Sequence, residues 1–222
     1  LLVAAARGLR PDLEAMAAAQ SCRRAEAAAG ARVGLMDHAA SALAREGHAL
    51  LLDCATLERR HVRLPPGLAL AVLDTGVTRR LAETPYAERR RAAEAAVAAL
   101  GGSLGPGPDA ERDPVLRHLV SEVGRVRRFV AAAEREDLEE MGRLVDESHA
   151  SLRDDLRVSL PQVDSLVARA RAVPGCLGAR IMGAGFGGSV LALLREGAQD
   201  RFASALGAPV RACRTTSGAF AA

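Results

Sequence analysis

A chain of 222 residues, 49% of them hydrophobic, is long enough for one large domain or two small ones with a buried core. Aromatics make up only 2% and Trp is absent, so that core must be built from Leu, Val and Ala. The net charge is +3, every one of the 30 basic residues is Arg, and acids are interleaved with them, so no basic block marks a nucleic-acid surface. No apolar run reaches the roughly 18 residues of a membrane span.

The first residues, LLVAAARGLRPDLEAM, read as a helix entered partway along, without the basic segment that opens a signal peptide. Residues 12–28, rich in Ala and Glu, predict a helix, and GARVG at 30–34 a loop. Asp37 stands ahead of HAASALARE, a short predicted helix for which it is a natural N-cap. HALLLDC (48–54) and RHVRL (60–64) predict two strands around a turn, and LALAVLDTG (68–76) a third. Pro85 opens a helix that Gly101-Gly102 ends, and 103–114 reads as a flexible connection. Long helices follow at 115–134 and 137–157, then one at 161–173. A strand at 176–182, a glycine loop, an apolar run at 189–194, a helix at 198–206 and a strand at 209–215 complete the order. The four cysteines are scattered, without C-x-x-C or a His at ligand spacing, which predicts a reduced, cytoplasmic protein and no structural zinc.

From residue 68 onward this order is the βαββαβ of a ferredoxin-like sandwich with extra helices in its first crossover. The expected class is α+β, with helices on one face of an antiparallel sheet. Residues 1–66 supply two helices and a hairpin and do not make a complete domain.

GARIMGAGFGG (178–188) contains G-x-G-x-x-G. A dinucleotide site needs an acid about 20 residues on, whereas Glu196 and Asp200 come too early and too few residues follow to finish such a domain. A plain hairpin needs only two or three special residues. Five glycines in these eleven residues point instead to a close approach, either of phosphate oxygens or of a second loop.

Four stretches, in order, resemble the GHMP kinases and, within them, the galactokinase family. GARIMGAGFGGSVLAL resembles the third GHMP motif. GLMDHAASALAREGHALLLDC (34–54) resembles the G-I-M-D-Q segment and the strand after it. YAERR (86–90) resembles Y-N-x-R-R, and ESHASLRDDLRVSLPQVDSLV (147–167) the S-H-x-S-L-R segment. Two earlier family motifs, a sugar-binding segment and a Ser-rich phosphate loop, have no counterpart here. The resemblance therefore implies a GHMP kinase fold in two parts: a remnant of the N-terminal domain at 1–66 and a ferredoxin-like C-terminal domain at 67–222. It implies Mg²⁺- and ATP-dependent phosphorylation of galactose at its anomeric hydroxyl, in a cytoplasmic protein that is a monomer at full length. The alternatives are another GHMP kinase such as N-acetylgalactosamine kinase, a non-catalytic sugar-binding regulator, or an inactive fragment.

The family's residues carry over position by position. Asp37 matches the proposed base for the sugar hydroxyl, and also reads as a helix cap; the dipole of a helix N-terminus favours the carboxylate in either role. Glu26 matches the Mg²⁺-associated Glu, although Ala27 replaces the family's Asn; its other reading is a solvated helix residue. Tyr86, the single Tyr, matches a sugar contact or packs inward. Gly34 either admits the sugar to the backbone or simply turns the chain. Gly183, Gly185, Gly187 and Gly188 are expected to support the phosphate loop, with Phe186 as a buried anchor. His38 stands where the family has Gln. His149, Arg153, Asp154 and Asp155 read as structural, tying their helix to the sheet.

Overall fold

The computed structural model describes residues 2–30, 34–77, 85–99, 108, 112–207 and 209–220, without the side chains of 86, 87, 90 and 99. The centre of the 30–34 loop, the end of the helix opened by Pro85 and most of the 103–114 connection lie outside the described residues. The chain divides into two compact units, Leu1–Leu64 with Arg214–Ala222, and Pro65–Cys213.

In the first unit, helices α1 (Leu2–Leu9), α2 (Ala15–Ala28) and α3 (Met36–Leu43) precede the hairpin of β1 (His48–Leu52) and β2 (Arg59–Arg63). The helix expected from residue 12 begins at Ala15, because Glu14 caps it by accepting the Ala17 amide at 2.9 Å. Met16, Ala19 and Cys22 of α2 meet Val3 of α1 and Ala39 and Ala42 of α3 in a small core. These are spaced at three, one turn of helix, and mostly small, so the helices approach closely. The hairpin pairs His48–Leu52 antiparallel with Arg59–Arg63. Its turn is set by Asp53, whose Oδ1 accepts the amides of Ala55 and Thr56 at 2.8 and 3.0 Å.

The C-terminal tail belongs to this unit. The amides of Gly218, Ala219 and Phe220 donate to the carbonyls of Ala44, Ser41 and Ala42 at 2.7, 2.8 and 3.2 Å. A helix leaves its last carbonyls unpaired, and here the tail supplies their donors. A Cβ on Gly218 would lie 2.6 Å from the Ala42 carbonyl oxygen, so this close approach requires glycine.

In the second unit, β3 (Leu68–Asp74), α4 (Tyr86–Ala99), α5 (Pro114–Glu134), α6 (Leu138–Asp154), α7 (Pro161–Arg171), β4 (Cys176–Ile181), β5 (Ser189–Arg195), α8 (Gln199–Leu206) and β6 (Val210–Cys213) follow in order. The sheet runs β4-β5-β3-β6 with every neighbour antiparallel, as the ferredoxin-like reading requires. β5 therefore sits between β3 and β4, and β3 between β5 and β6: two split crossovers. Alternate residues of the strands, Ala71 and Leu73, Ala179 and Ile181, and Val190, Ala192 and Leu194, face one core. Val163, Leu166, Val167 and Ala170, one stripe of α7, and Phe202 and Leu206 of α8 close it.

Helix α6 lies along the open edge of β4. An edge strand presents unpaired amides at every second residue. Asp146 Oδ1 accepts the Ala179 amide at 2.9 Å, and His149 Nδ1 accepts that of Ile181 at 3.4 Å. The approach is close enough that a Cβ on Gly142 would stand 2.1 Å from the Leu177 oxygen. Burial of Asp146 raises its carboxyl above the usual range, against the Ala179 amide and Arg171, whose Nε lies 2.7 Å away. His149 thus ties its helix to the sheet as expected. Arg153 does not share in this: it is bonded to its neighbour Asp154 at the surface, at 2.8 Å.

Candidate active site

The first unit gathers three of the residues singled out in the sequence. Glu26 projects from α2, Gly34 precedes α3, and His38 lies on the inner face of α3. His38 is buried at 7% exposure. Its Nδ1 lies 3.3 Å from the Gly34 carbonyl and its Nε2 3.3 Å from Glu26 Oε2.

Asp37, one residue earlier on the helix, faces outward and is exposed. The capping role expected for it is corrected by the backbone. Leu35 is the N-cap, already helical at φ −81° and ψ −21°, and its carbonyl takes the Ala39 amide at 2.9 Å. Asp37 therefore stands inside the first turn, where the positive end of the helix dipole still favours a carboxylate. Among the described residues, no hydrogen bond or ion pair engages that carboxylate. Gly34 is exposed, and a Cβ there would meet no described atom within 4 Å. Among the described residues, nothing crowds the backbone of Gly34.

Glu26 could hold a divalent cation only in a limited way. Among the described residues, no group of three or more His, Cys, Asp and Glu is gathered to hold a metal. Mg²⁺ commonly takes one or two carboxylates and completes its shell with phosphate oxygens and water. Glu26 is partly exposed, with its Oε2 toward His38, and so fits as a single-carboxylate ligand. Tyr86 opens α4, and its side chain lies outside the described residues.

The second unit holds the glycine turn between β4 and β5. Gly183, Gly185, Gly187 and Gly188 all have positive φ, as does Phe186 at 57°. Gly185 and Gly187 are shaped by neighbouring backbone: a Cβ on either would lie 2.4 Å from the Val158 oxygen or 2.8 Å from the Val77 oxygen. The Phe186 amide donates to Val158 O at 2.7 Å, and the Gly188 amide to Val77 O at 3.2 Å. Thr75 binds the Gly188 carbonyl through its amide and its hydroxyl, at 3.0 and 2.8 Å. Of the two approaches left open by the sequence, the structure shows the second loop packed against the turn. Phe186 is buried in the sheet core, as expected.

Apart from Asp155, the residues that clamp this turn and bond the helices near β4 were not singled out in the sequence. Val158, Thr75 and Val77 clamp it directly. Arg180, at the end of β4, donates to Glu122 at 2.9 Å and Ser148 at 2.7 Å, and Ser148 donates to Glu122 at 2.5 Å. His118 Nδ1 donates to Ser151 at 3.0 Å, while Ser151 donates to Asp155 at 2.9 Å. Burial lowers the pKa of both His118 and His149, more than the nearby carboxylates raise it. These bonds join α6 to α5 and to β4, and no local spacing announces them.

Comparison with known proteins agrees with this architecture. Residues 129–212 match the family described as GHMP kinases C terminal. The chain is 41% identical over 191 residues to a galactokinase of Roseiflexus sp. (strain RS-1), covering 78% of this chain and 49% of that protein. It is 43% identical over 205 residues to the galactokinase of Homo sapiens, covering 86% of this chain and 52% of that one. Its fold superposes on Lactococcus lactis galactokinase complexed with galactose, with a TM-score of 0.89 and 26% identity, over 97% of this chain and 64% of the other. The chain thus spans about half the length of the curated relatives it matches. In its fold, and in the match over residues 129–212, the chain is similar to the GHMP kinases. The curated relatives and the solved structure named here are galactokinases.

Proposed function

We propose that this chain serves a galactokinase-type reaction: transfer of the γ-phosphoryl group of Mg-ATP to the anomeric hydroxyl of galactose or a related hexose, giving galactose 1-phosphate. The observation that carries the reading is the Asp37 carboxylate, exposed and without a described protein partner beside the open backbone of Gly34. A sugar hydroxyl is a poor nucleophile at neutral pH. A carboxylate about 3 Å away orients it and takes its proton as the transition state forms, contributing roughly 10²–10⁴-fold. In this reading Gly34 admits the sugar to the backbone and the Tyr86 ring offers it a flat face. Gly183, Gly185, Gly187 and Gly188 act indirectly, as a rigid support for phosphate binding. Bound Mg²⁺ would neutralise charge on the transferring phosphoryl group, with Glu26 as its protein ligand. The same reading assigns 1–66 to a GHMP N-terminal domain and 67–222 to the C-terminal domain, in a monomeric cytoplasmic protein.

The test is galactose-dependent release of ADP from Mg-ATP. The 222-residue chain by itself is expected to be silent, since it covers about half of the similar galactokinases. Joined behind the complementary half of such a galactokinase, it is expected to turn over galactose. Asp37→Ala in that joined protein should lower the rate roughly 10²–10⁴-fold. A folded joined protein whose turnover ignores Asp37→Ala overturns the reading. Binding of galactose without any turnover would mark a regulator instead.

A further inference from the structure

We infer that His38 is a positioning residue that couples the Glu26 carboxylate to the turn delivering Asp37. The inference rests on the roles proposed above for Glu26 and Asp37. Three observations carry it. The ring is buried at 7% exposure, between α2 and the start of α3, so its position is fixed by packing. One ring nitrogen addresses the Gly34 carbonyl and the other Glu26 Oε2, each at 3.3 Å. Asp37 is the preceding residue on the same helix, about 100° around it, and is exposed.

The geometry makes one side chain answer for two others. A glutamate on a long, partly exposed stem loses rotamer freedom when a cation binds it. A buried imidazole against one carboxylate oxygen removes part of that freedom beforehand. Outer-shell partners of this kind typically change metal affinity 10–100-fold. The other nitrogen lies against the carbonyl of Gly34, which has no side chain of its own. Motion of Glu26 and motion of the Gly34–Asp37 turn are therefore linked through His38.

The experiment uses the ¹⁵N-labelled chain with Mn²⁺ as the probe, followed by paramagnetic broadening, and with amide exchange of Asp37–Ala39 measured in parallel. Broadening is expected to centre on residues around Glu26 and to be lost in Glu26→Gln. His38→Leu, which keeps apolar bulk but no ring nitrogen, should raise the Mn²⁺ midpoint about 10-fold and speed exchange of the Asp37–Ala39 amides several-fold. His38→Gln should recover part of these effects, because its amide nitrogen can donate to one of the two acceptors. Should the Leu variant unfold, His38→Phe serves the same comparison. Loss of broadening in Glu26→Gln with none in His38→Leu overturns the coupling alone. Equal behaviour of His38→Leu and His38→Gln also overturns it, since packing would then be the whole role. Broadening indifferent to Glu26→Gln overturns the metal assignment, and the coupling with it.

Discussion

In the first unit the Asp37 carboxylate stands exposed in the first turn of α3, without a described partner. In the second unit two acids are fully engaged: Asp146 takes the Ala179 amide and Arg171, and Glu122 takes Arg125, Arg180 and Ser148. The two glycine sites differ in the same sense. Gly34 has open space around it, whereas Gly185 and Gly187 are pressed against the backbone of Val158 and Val77. A group whose bonding capacity is filled within the fold stabilises the fold. An exposed group left unfilled is bonded to water, and can exchange that water for a ligand. On the proposed reading, the acid that meets the substrate hydroxyl lies in the first unit, and the glycines of the second act as support.

The largest expected effect breaks the comparison at its chemical end. Asp37→Ala should lower turnover of a joined, active protein by roughly 10²–10⁴-fold. Its melting temperature should stay nearly unchanged, since exposed substitutions usually shift stability by less than about 0.5 kcal/mol. A large loss of stability would place Asp37 with the structural acids.

Gly142→Ala should do the reverse. Alanine gains up to about 1 kcal/mol of helix propensity over glycine. The added Cβ would nevertheless stand 2.1 Å from the Leu177 oxygen, and backbone on both sides cannot yield cheaply. A net cost of about 1–3 kcal/mol is expected, lowering the melting temperature by roughly 2–12 °C in a thermal scan. Unchanged melting would show that α6 does not seal the β4 edge.

Gly218→Ala sharpens the picture of the first unit. Displacing the tail from α3 removes donors for three carbonyls, worth about 1 kcal/mol each at most. Amide exchange at Ala219 and Phe220 should quicken roughly tenfold for each 1.4 kcal/mol lost, while Ile181 should be unaffected.

Acid should weaken the second unit selectively. His118 and His149 are lowered from 6.5 by burial, so the unfolded chain binds protons that the folded one refuses. Their contribution is fully present above about pH 6.5 and declines as the pH falls through 6.5 toward the folded values. Urea unfolding followed from pH 8 to pH 5 should show this decline, and His149→Gln should flatten it. The raised carboxyl of Asp146 acts with the opposite sign, in the more acidic carboxylate range. The smallest effect belongs to Arg153→Ala, which removes a surface pair with Asp154 and should cost less than about 0.5 kcal/mol.

Much of the architecture could be read in the residues. The strand order from 68 onward gave the ferredoxin-like pattern, and the strands at 68, 176 and 189 start where expected or within a residue of it. Asp37, Glu26 and Gly34 were found through the G-L-M-D segment and its surroundings. The start of α3 was misplaced because Leu35, a poor cap by composition, adopts helical geometry before Asp37. The clamp on the glycine turn was left undecided, because Val158 and Val77 carry no feature that marks a carbonyl as a partner.

The sequence by itself determined most of the elements, their order and the resemblance to the GHMP kinases, since periodicity, caps and motifs are properties of neighbouring residues. Tertiary structure alone decided that Glu26 meets His38, that the 218–220 tail closes α3, and that α6 covers the edge of β4. Each of these joins groups far apart in the chain. Such contacts form because unpaired carbonyls, amides and charges must find partners once water is excluded, and only the folded backbone determines which ones are within reach.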